Sequence, residues 1–259
     1  MNNQFAITKF LQDSKRGSPL LWRSSVAMAI GMAFCFALTL IDPRMLAGAN
    51  VWEKPAKFFL SLAVHGVTLA WAISLAQGKM RGVKIATWIF VLASWFELIY
   101  MMFRASRGEA SHFNNTSAFA AIMYGLMGVG SLMLVASSAF AGWRLWQQRG
   151  GNVMREAASI GLMLGAVLGT IAGAYLASQT SHWIGGEQSD ATGLGLFHWS
   201  TTGGDLRVAH FIGLHATQFV PLAGLSGKRL IVYGSAIVVI VATLATFILA
   251  VMGIPLLHT

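Results

Sequence analysis

Charge is what this chain has least of. Only 10% of its 259 residues are Asp, Glu, Lys or Arg, where a soluble domain carries roughly 25%. So few charges cannot cover a water-facing surface of this size, which excludes a cytosolic enzyme, a disordered tail and a secreted scaffold. Cysteine is nearly absent. Cys35 stands alone inside an apolar run, which excludes an internal disulfide and a thiolate metal cluster. Proline is scarce too, 5 residues against 28 glycines, a balance that suits helices packed in lipid. What remains is apolar: 56% of the chain is hydrophobic and the mean hydropathy is +0.64. This is the composition of an integral membrane protein. The net charge of +9 then reports a positive-inside bias rather than nucleic-acid binding.

Seven apolar runs approach the ~20 residues that a bilayer crossing needs. They lie at 24–41, 58–75, 85–103, 117–143, 157–178, 206–225 and 231–254, within a single integral-membrane domain over 1–259. The expected fold is all-α, a seven-transmembrane-helix bundle. Basic residues gather in alternate connections: Lys9, Lys15, Arg16 and Arg23, then Lys79, Arg81 and Lys84, then Arg144, Arg149 and Arg155, then Lys228 and Arg229. Twelve of the eighteen thus share one side, which sets the N-terminus in the cytoplasm and the C-terminus outside. The first run is longer than a signal-peptide core and is interrupted by Asp42-Pro43-Arg44, so it reads as a helix. Trp22, Trp143 and Trp146 fall at the inner interface, and Trp52, Trp183 and Trp199 at the outer. Gly161, Gly165, Gly169 and Gly173 make a close-packing face on the fifth span. That face meets a neighbouring helix or a second copy in a homo-oligomer.

The polar residues are distributed unevenly. Arg44, Lys54, Lys57, Arg104, Arg107 and Arg207, seven of the nine acids, and six of the seven histidines lie in the outer half or near the midplane. Lys54, Lys57, Ser61, His65 and Thr68 follow helical steps and share a face. His65 sits about 12–15 Å below the outer end of its helix. Glu97 and Arg104 share a face of the third span, and Arg207, His210, His215 and Gln218 an arc of the sixth. Ionisable groups inside membrane helices face the bundle interior or a wet cavity and mark function. The bland alternatives are packing histidines, a register-fixing ion pair at Glu97 and snorkelling lysines. Three polar stripes at one depth favour an outward cavity. The long outer loop, 179–205, reads as a lid, with Asp205 as the N-cap of the next helix. His258, near the C-terminal end, is expected to be inert.

The runs Lys54-Pro-Ala-Lys57-Phe, Arg107-Gly-Glu-Ala-Ser-His112-Phe-Asn and Gly203-Gly-Asp205-Leu-Arg207-Val-Ala-His210-Phe-Ile-Gly-Leu-His215 resemble those of an uncharacterised bacterial membrane-protein family. The resemblance covers roughly 52–222. It implies a multi-pass bacterial inner membrane protein and no particular chemistry. Ser61-x3-His65, Glu97 and His210/His215 also resemble the alkaline ceramidase and adiponectin-receptor superfamily of zinc hydrolases, although the late pair is spaced by five residues.

Three functions fit these residues. In the first, the chain is a membrane oxidoreductase that carries haem b or a copper or iron ion and exchanges electrons with a quinone or a periplasmic partner. His65 with His210 or His215 would be the ligands, and His112 and His182 are further candidates. Lys54, Lys57, Arg104, Arg107, Arg207 and Gln218 would hold the cofactor's anionic groups. In the second, a zinc ion on His65, His210 and His215 hydrolyses a lipid, with Glu97 as general base. In the third, the protein is not an enzyme. The basic cluster captures an anionic small molecule while histidines relay protons.

Overall fold

The computed structural model describes residues 3–257, with side chains from Ile7 onward; His258 lies outside them. The chain opens with a helix that the apolar runs do not announce, α1 (Asn3–Gly17). Asp13 holds Lys9 and Arg16 at helical spacing, and Phe10 rests on Trp71 with ring centroids 5.9 Å apart. The end of α1 comes close to the α3 backbone because residue 17 is glycine: a Cβ there would lie 2.7 Å from the Ser74 amide nitrogen. Ser18 then caps α2 (Pro19–Thr39), accepting from the Leu21 amide, with Pro19 in the first turn. This cap starts the helix earlier than its apolar run, which begins at 24.

The long helices that follow are α3 (Glu53–Ser74), α4 (Val83–Ser106), α5 (Ala118–Trp146), α6 (Val153–Ala177) and α9 (Arg229–Val251). Ser117 and Asn152 cap α5 and α6 through their side chains. Six helices, α2 to α6 and α9, are long and apolar enough to cross a membrane. Their outward faces present Ile30, Leu92, Ile122 and Val238 at 62–66% exposure, surface that only lipid would cover well. The molecule is a multi-pass helical membrane bundle.

The expected span at 206–225 is built differently. It consists of two nine-residue helices, α7 (Leu206–Leu214) and α8 (Ala216–Gly224), with a break at His215. The Thr217 hydroxyl takes the Leu214 carbonyl, and the Gln218 amide bonds His215 instead of continuing the α-helical ladder. Pro221 inside α8 removes a further amide donor.

Besides a small cluster around Tyr100, Met101 and Met127, two larger apolar cores form among the described residues. One joins α2, α3 and α4 around Leu21, Met28, Phe59, Phe90 and Leu98. The other joins α6, α8 and α9 around Leu168, Val220, Val232 and Val239. The glycine face of α6 belongs to the seam with α7 and α8. A Cβ at Gly161 would lie 2.8 Å from the Ala216 carbonyl oxygen, one at Gly165 2.7 Å from Thr217 Cγ2, and one at Gly173 2.8 Å from His210 Cε1. The face is therefore filled within the chain. At the end of the bundle where α3 and α7 begin, two short antiparallel strand pairs close the loops: β1 (Met45–Leu46) with β2 (Ala49–Asn50), and β3 (Trp183–Ile184) with β4 (Gly204–Asp205).

Candidate functional site

The loops at this end are locked together by charge. Asp205, at the start of α7, accepts from the Arg207 amide and takes the Arg207 guanidinium through both oxygens, at 2.9 and 2.6 Å. Arg207 also reaches Asp190 at 3.0 Å and the His198 carbonyl at 2.6 Å, and it sits over the Trp183 ring. One arginine thereby ties three points of the long loop to the head of α7. Glu53, in the first turn of α3, accepts from His198 Nε2 at 2.6 Å and from Lys57 Nζ at 3.2 Å. His182 packs against Trp183 with tilted rings, centroids 3.8 Å apart, and its Nε2 lies 3.7 Å from Asp190. Burial holds the His182 imidazole below its ordinary pKa, only partly opposed by Asp190. Burial acts to raise Asp190, but His182 and Arg207 outweigh it and keep the carboxyl below the usual range.

Around this clamp most cations are already neutralised. Arg104 pairs with Glu109 at 2.8 Å and donates to the Ala110 carbonyl. Arg107 pairs with the same glutamate, and Arg44 with Asp42. Lys54 is different. It makes no hydrogen bond or ion pair within 4 Å among the described residues, and its side chain is exposed. Yet Arg207, Asp190 and Glu97, from three other elements, act on it electrostatically. Lys54 thus combines an exposed side chain with a position among charges of α4, the long loop and α7. His112 stands near it, with Nδ1 3.0 Å from the Ser111 hydroxyl and its ring against Phe58 and Tyr124. Burial, reinforced by the charge of Lys54, holds His112 well below its ordinary pKa.

Deeper in the bundle, Glu97 is 3% exposed and its Oε1 has no protein hydrogen-bond partner. One turn along α4, the buried Tyr100 hydroxyl also lacks one. Gly130 of α5 makes room for the carboxylate: a Cβ there would lie 3.0 Å from Oε1. An unpaired buried polar group costs about 1–3 kcal/mol, which sets these two atoms apart from the paired groups around them.

Below this level α3 is stitched to its neighbours. His65 Nε2 meets the Ser138 hydroxyl of α5 at 2.7 Å, and Gln218 of α8 donates to Thr68 at 3.2 Å. Arg155 of α6 donates to the Leu75 carbonyl at 2.8 Å. The polar face of α3 thus runs from the free Lys54, past the exposed Ser61, to a hydrogen-bonded floor.

The expected ligands do not gather into one set. His65 is held by α5 and packs on Phe90. His210 Nδ1 bonds the Gly169 carbonyl of α6 at 3.1 Å, and His215 Nδ1 bonds the Phe211 carbonyl at 2.7 Å. Among the described residues no group of three or more His, Cys, Asp or Glu side chains is positioned to share a metal ion. His112 lies between α4 and α5 and His182 between α6 and β3, apart from that trio. Of the six residues expected to hold anionic groups, Lys57, Arg104, Arg107, Arg207 and Gln218 are engaged with protein partners. Only Lys54 keeps its charge for a ligand. Sequence reasoning missed the Glu53–His198 clamp, Ser138 and the Tyr100 hydroxyl. Ser138 is marked only as a hydroxyl in an apolar span, and Glu53 only as an acid at a helix start. No family model, curated protein or solved structure matches the chain.

Proposed function

We propose that this protein binds a small organic anion in an outward-facing chamber and couples that binding to a proton, as a non-enzymatic binding protein or proton-linked transporter. The observation that carries the reading is the uncommitted state of Lys54 where Lys57, Arg104, Arg107 and Arg207 are all paired. Below it, Glu97 and Tyr100 supply unpaired polar atoms on one face of α4. A carboxylate on Lys54 whose own polar groups reach Glu97 and Tyr100 would satisfy all three. The clamp of Arg207, Asp190 and Glu53 forms the roof, and His65, Ser138, Thr68 and Gln218 form the floor. In this reading α7 and α8 together make a seventh, broken crossing, the kind that lines binding sites in transporters. The basic side is cytoplasmic, the chamber faces the periplasm, and the protein resides in a bacterial inner membrane.

Thermal unfolding of the protein in nanodiscs, with acetate, succinate, inorganic phosphate and ethanolamine as probes, tests the reading. A carboxylate should stabilise the protein, by about 2.7 kcal/mol at a hundredfold excess over Kd, and ethanolamine should not. Lys54→Gln should abolish the effect. Glu97→Gln should keep anion binding but remove its pH dependence. Equal stabilisation of wild type and Lys54→Gln would overturn the proposal.

One observation favours a metal or haem reading. The Nδ1 atoms of His210 and His215 donate to backbone carbonyls, which orients Nε2 as the free acceptor, as in ligating histidines. An absorption spectrum with metal analysis of the purified protein separates the two. A Soret band or stoichiometric metal, lost in His215→Ala, would replace the anion reading.

A further inference from the structure

The basic end holds a second candidate site. A cleft of about 760 Å³ opens between the α1–α2 corner, the end of α3 and the start of α4. Arg16, Arg23 and Lys84 line it from three helices, beside Ser18, Ile73 and Trp88. Arg16 is held by Asp13 at 2.9 Å. Arg23 and Lys84 are exposed and make no ion pair among the described residues, and no acidic side chain lines the cleft. The corner is closely packed: Gly17 is pressed onto the α3 backbone and Trp95 of α4 donates to Ser24 of α2 at 2.9 Å. Trp88 lies one turn beyond Lys84 on α4 and is 48% exposed, next to Ile85 at 68%. The cleft therefore has a cationic mouth at the helix ends and an apolar wall that continues into the lipid-facing surface.

We infer that this cleft binds an anionic phospholipid of the leaflet on the basic side, with its phosphate between Arg23 and Lys84 and an acyl chain along Trp88 and Ile73. Charge complementarity selects an anion. The depth, at the ends of α2, α3 and α4, is that of lipid headgroups, and the apolar wall suits a chain that a soluble phosphate lacks. The site is independent of the Lys54 chamber at the opposite end of α3.

Native mass spectrometry of the full chain in detergent, with phosphatidylglycerol or phosphatidylcholine added, tests this. Phosphatidylglycerol should be retained and phosphatidylcholine should not. The double variant Arg23→Gln/Lys84→Gln should retain phosphatidylglycerol about tenfold less or weaker still, with thermal unfolding checked to confirm that it folds. Arg23→Lys/Lys84→Arg should retain it like wild type. Arg149→Gln/Lys228→Gln, which removes equal charge from loops at the same end that do not line the cleft, should change nothing. Equal loss in the loop variant would show general surface attraction, and equal retention of both lipids would show no headgroup selection. Displacement of the lipid by millimolar glycerol phosphate would assign the site to a soluble phosphate. Each of these three results overturns the inference.

Discussion

At the scale of single residues, the difference that matters is between charges that have partners and those that do not. Arg207 and Lys54 both read as anion ligands in the sequence, but only the structure separates them. Arg207 is spent on Asp205 and Asp190, whereas Lys54 is spent on nothing. The Asp205 carboxylate is buried, caps α7, and also accepts from the Ser200 amide at 3.1 Å. Asp205→Ala should therefore cost about 3 kcal/mol, the scale for breaking a buried ion pair, and should free the long loop. Thermal unfolding and limited proteolysis between 178 and 205 check both effects. His112 yields a pH prediction. Its folded-state pKa lies well below 6.5 because its ring is buried beside Lys54, so in the unfolded chain it takes up a proton near 6.5 that the folded protein refuses. Its contribution to stability is complete above that pH and falls away as the pH drops through 6.5 toward the folded value. His182 acts with the same sign. The melting temperature should decline between pH 6.5 and 5, and His112→Gln should make the decline shallower. Parallel curves for wild type and variant would show that the ring titrates normally.

At the scale of elements, α6 and the broken pair α7–α8 form the unit on which the seam depends. The four-residue glycine period on α6 was legible as a close-packing face, because lipid offers helices no hydrophobic drive and small residues let backbones approach. Which partner it meets was not legible, since a glycine carries no side chain to signal its neighbour. The structure assigns the face to Leu214, Thr217, Pro221 and His210. Gly165→Leu should overpack this contact and cost about 1–3 kcal/mol while leaving the ends of the bundle intact, as measured by thermal unfolding in detergent. An unchanged melting temperature would mean that the two helices do not approach as closely as drawn. The break at His215 was only half visible. Pro221 and the polar residues interrupt the apolar run, but the capture of the Leu214 carbonyl by the Thr217 hydroxyl is a local choice that periodicity does not record.

At the scale of the whole molecule, the ends of the bundle differ in kind. One end is open basic loop; the other is a network of ion pairs under two antiparallel strand pairs. If the basic end is cytoplasmic, a membrane-impermeant maleimide added to intact cells should label Gln188→Cys in the long loop and should not label Lys79→Cys. The only native thiol, Cys35, is buried, so the background is low. Labelling of Lys79→Cys from outside would invert the orientation.

Composition and periodicity by themselves determined that this chain is a membrane bundle and marked six of its seven expected spans as long apolar helices. Those properties follow from the solvent: a residue's own hydropathy decides whether a segment can enter lipid, and no neighbour is needed to read it. Tertiary structure alone decided what the polar residues do. His65, His210 and His215 look like one ligand set along the chain, but α5, α6 and the Phe211 carbonyl each take one. Six cations look like one anion site, but partners from distant loops neutralise most of them and leave Lys54. A hydrogen bond or ion pair acts over about 3–4 Å between residues far apart in sequence, so its presence is set by how the helices dock and not by the order of residues along them.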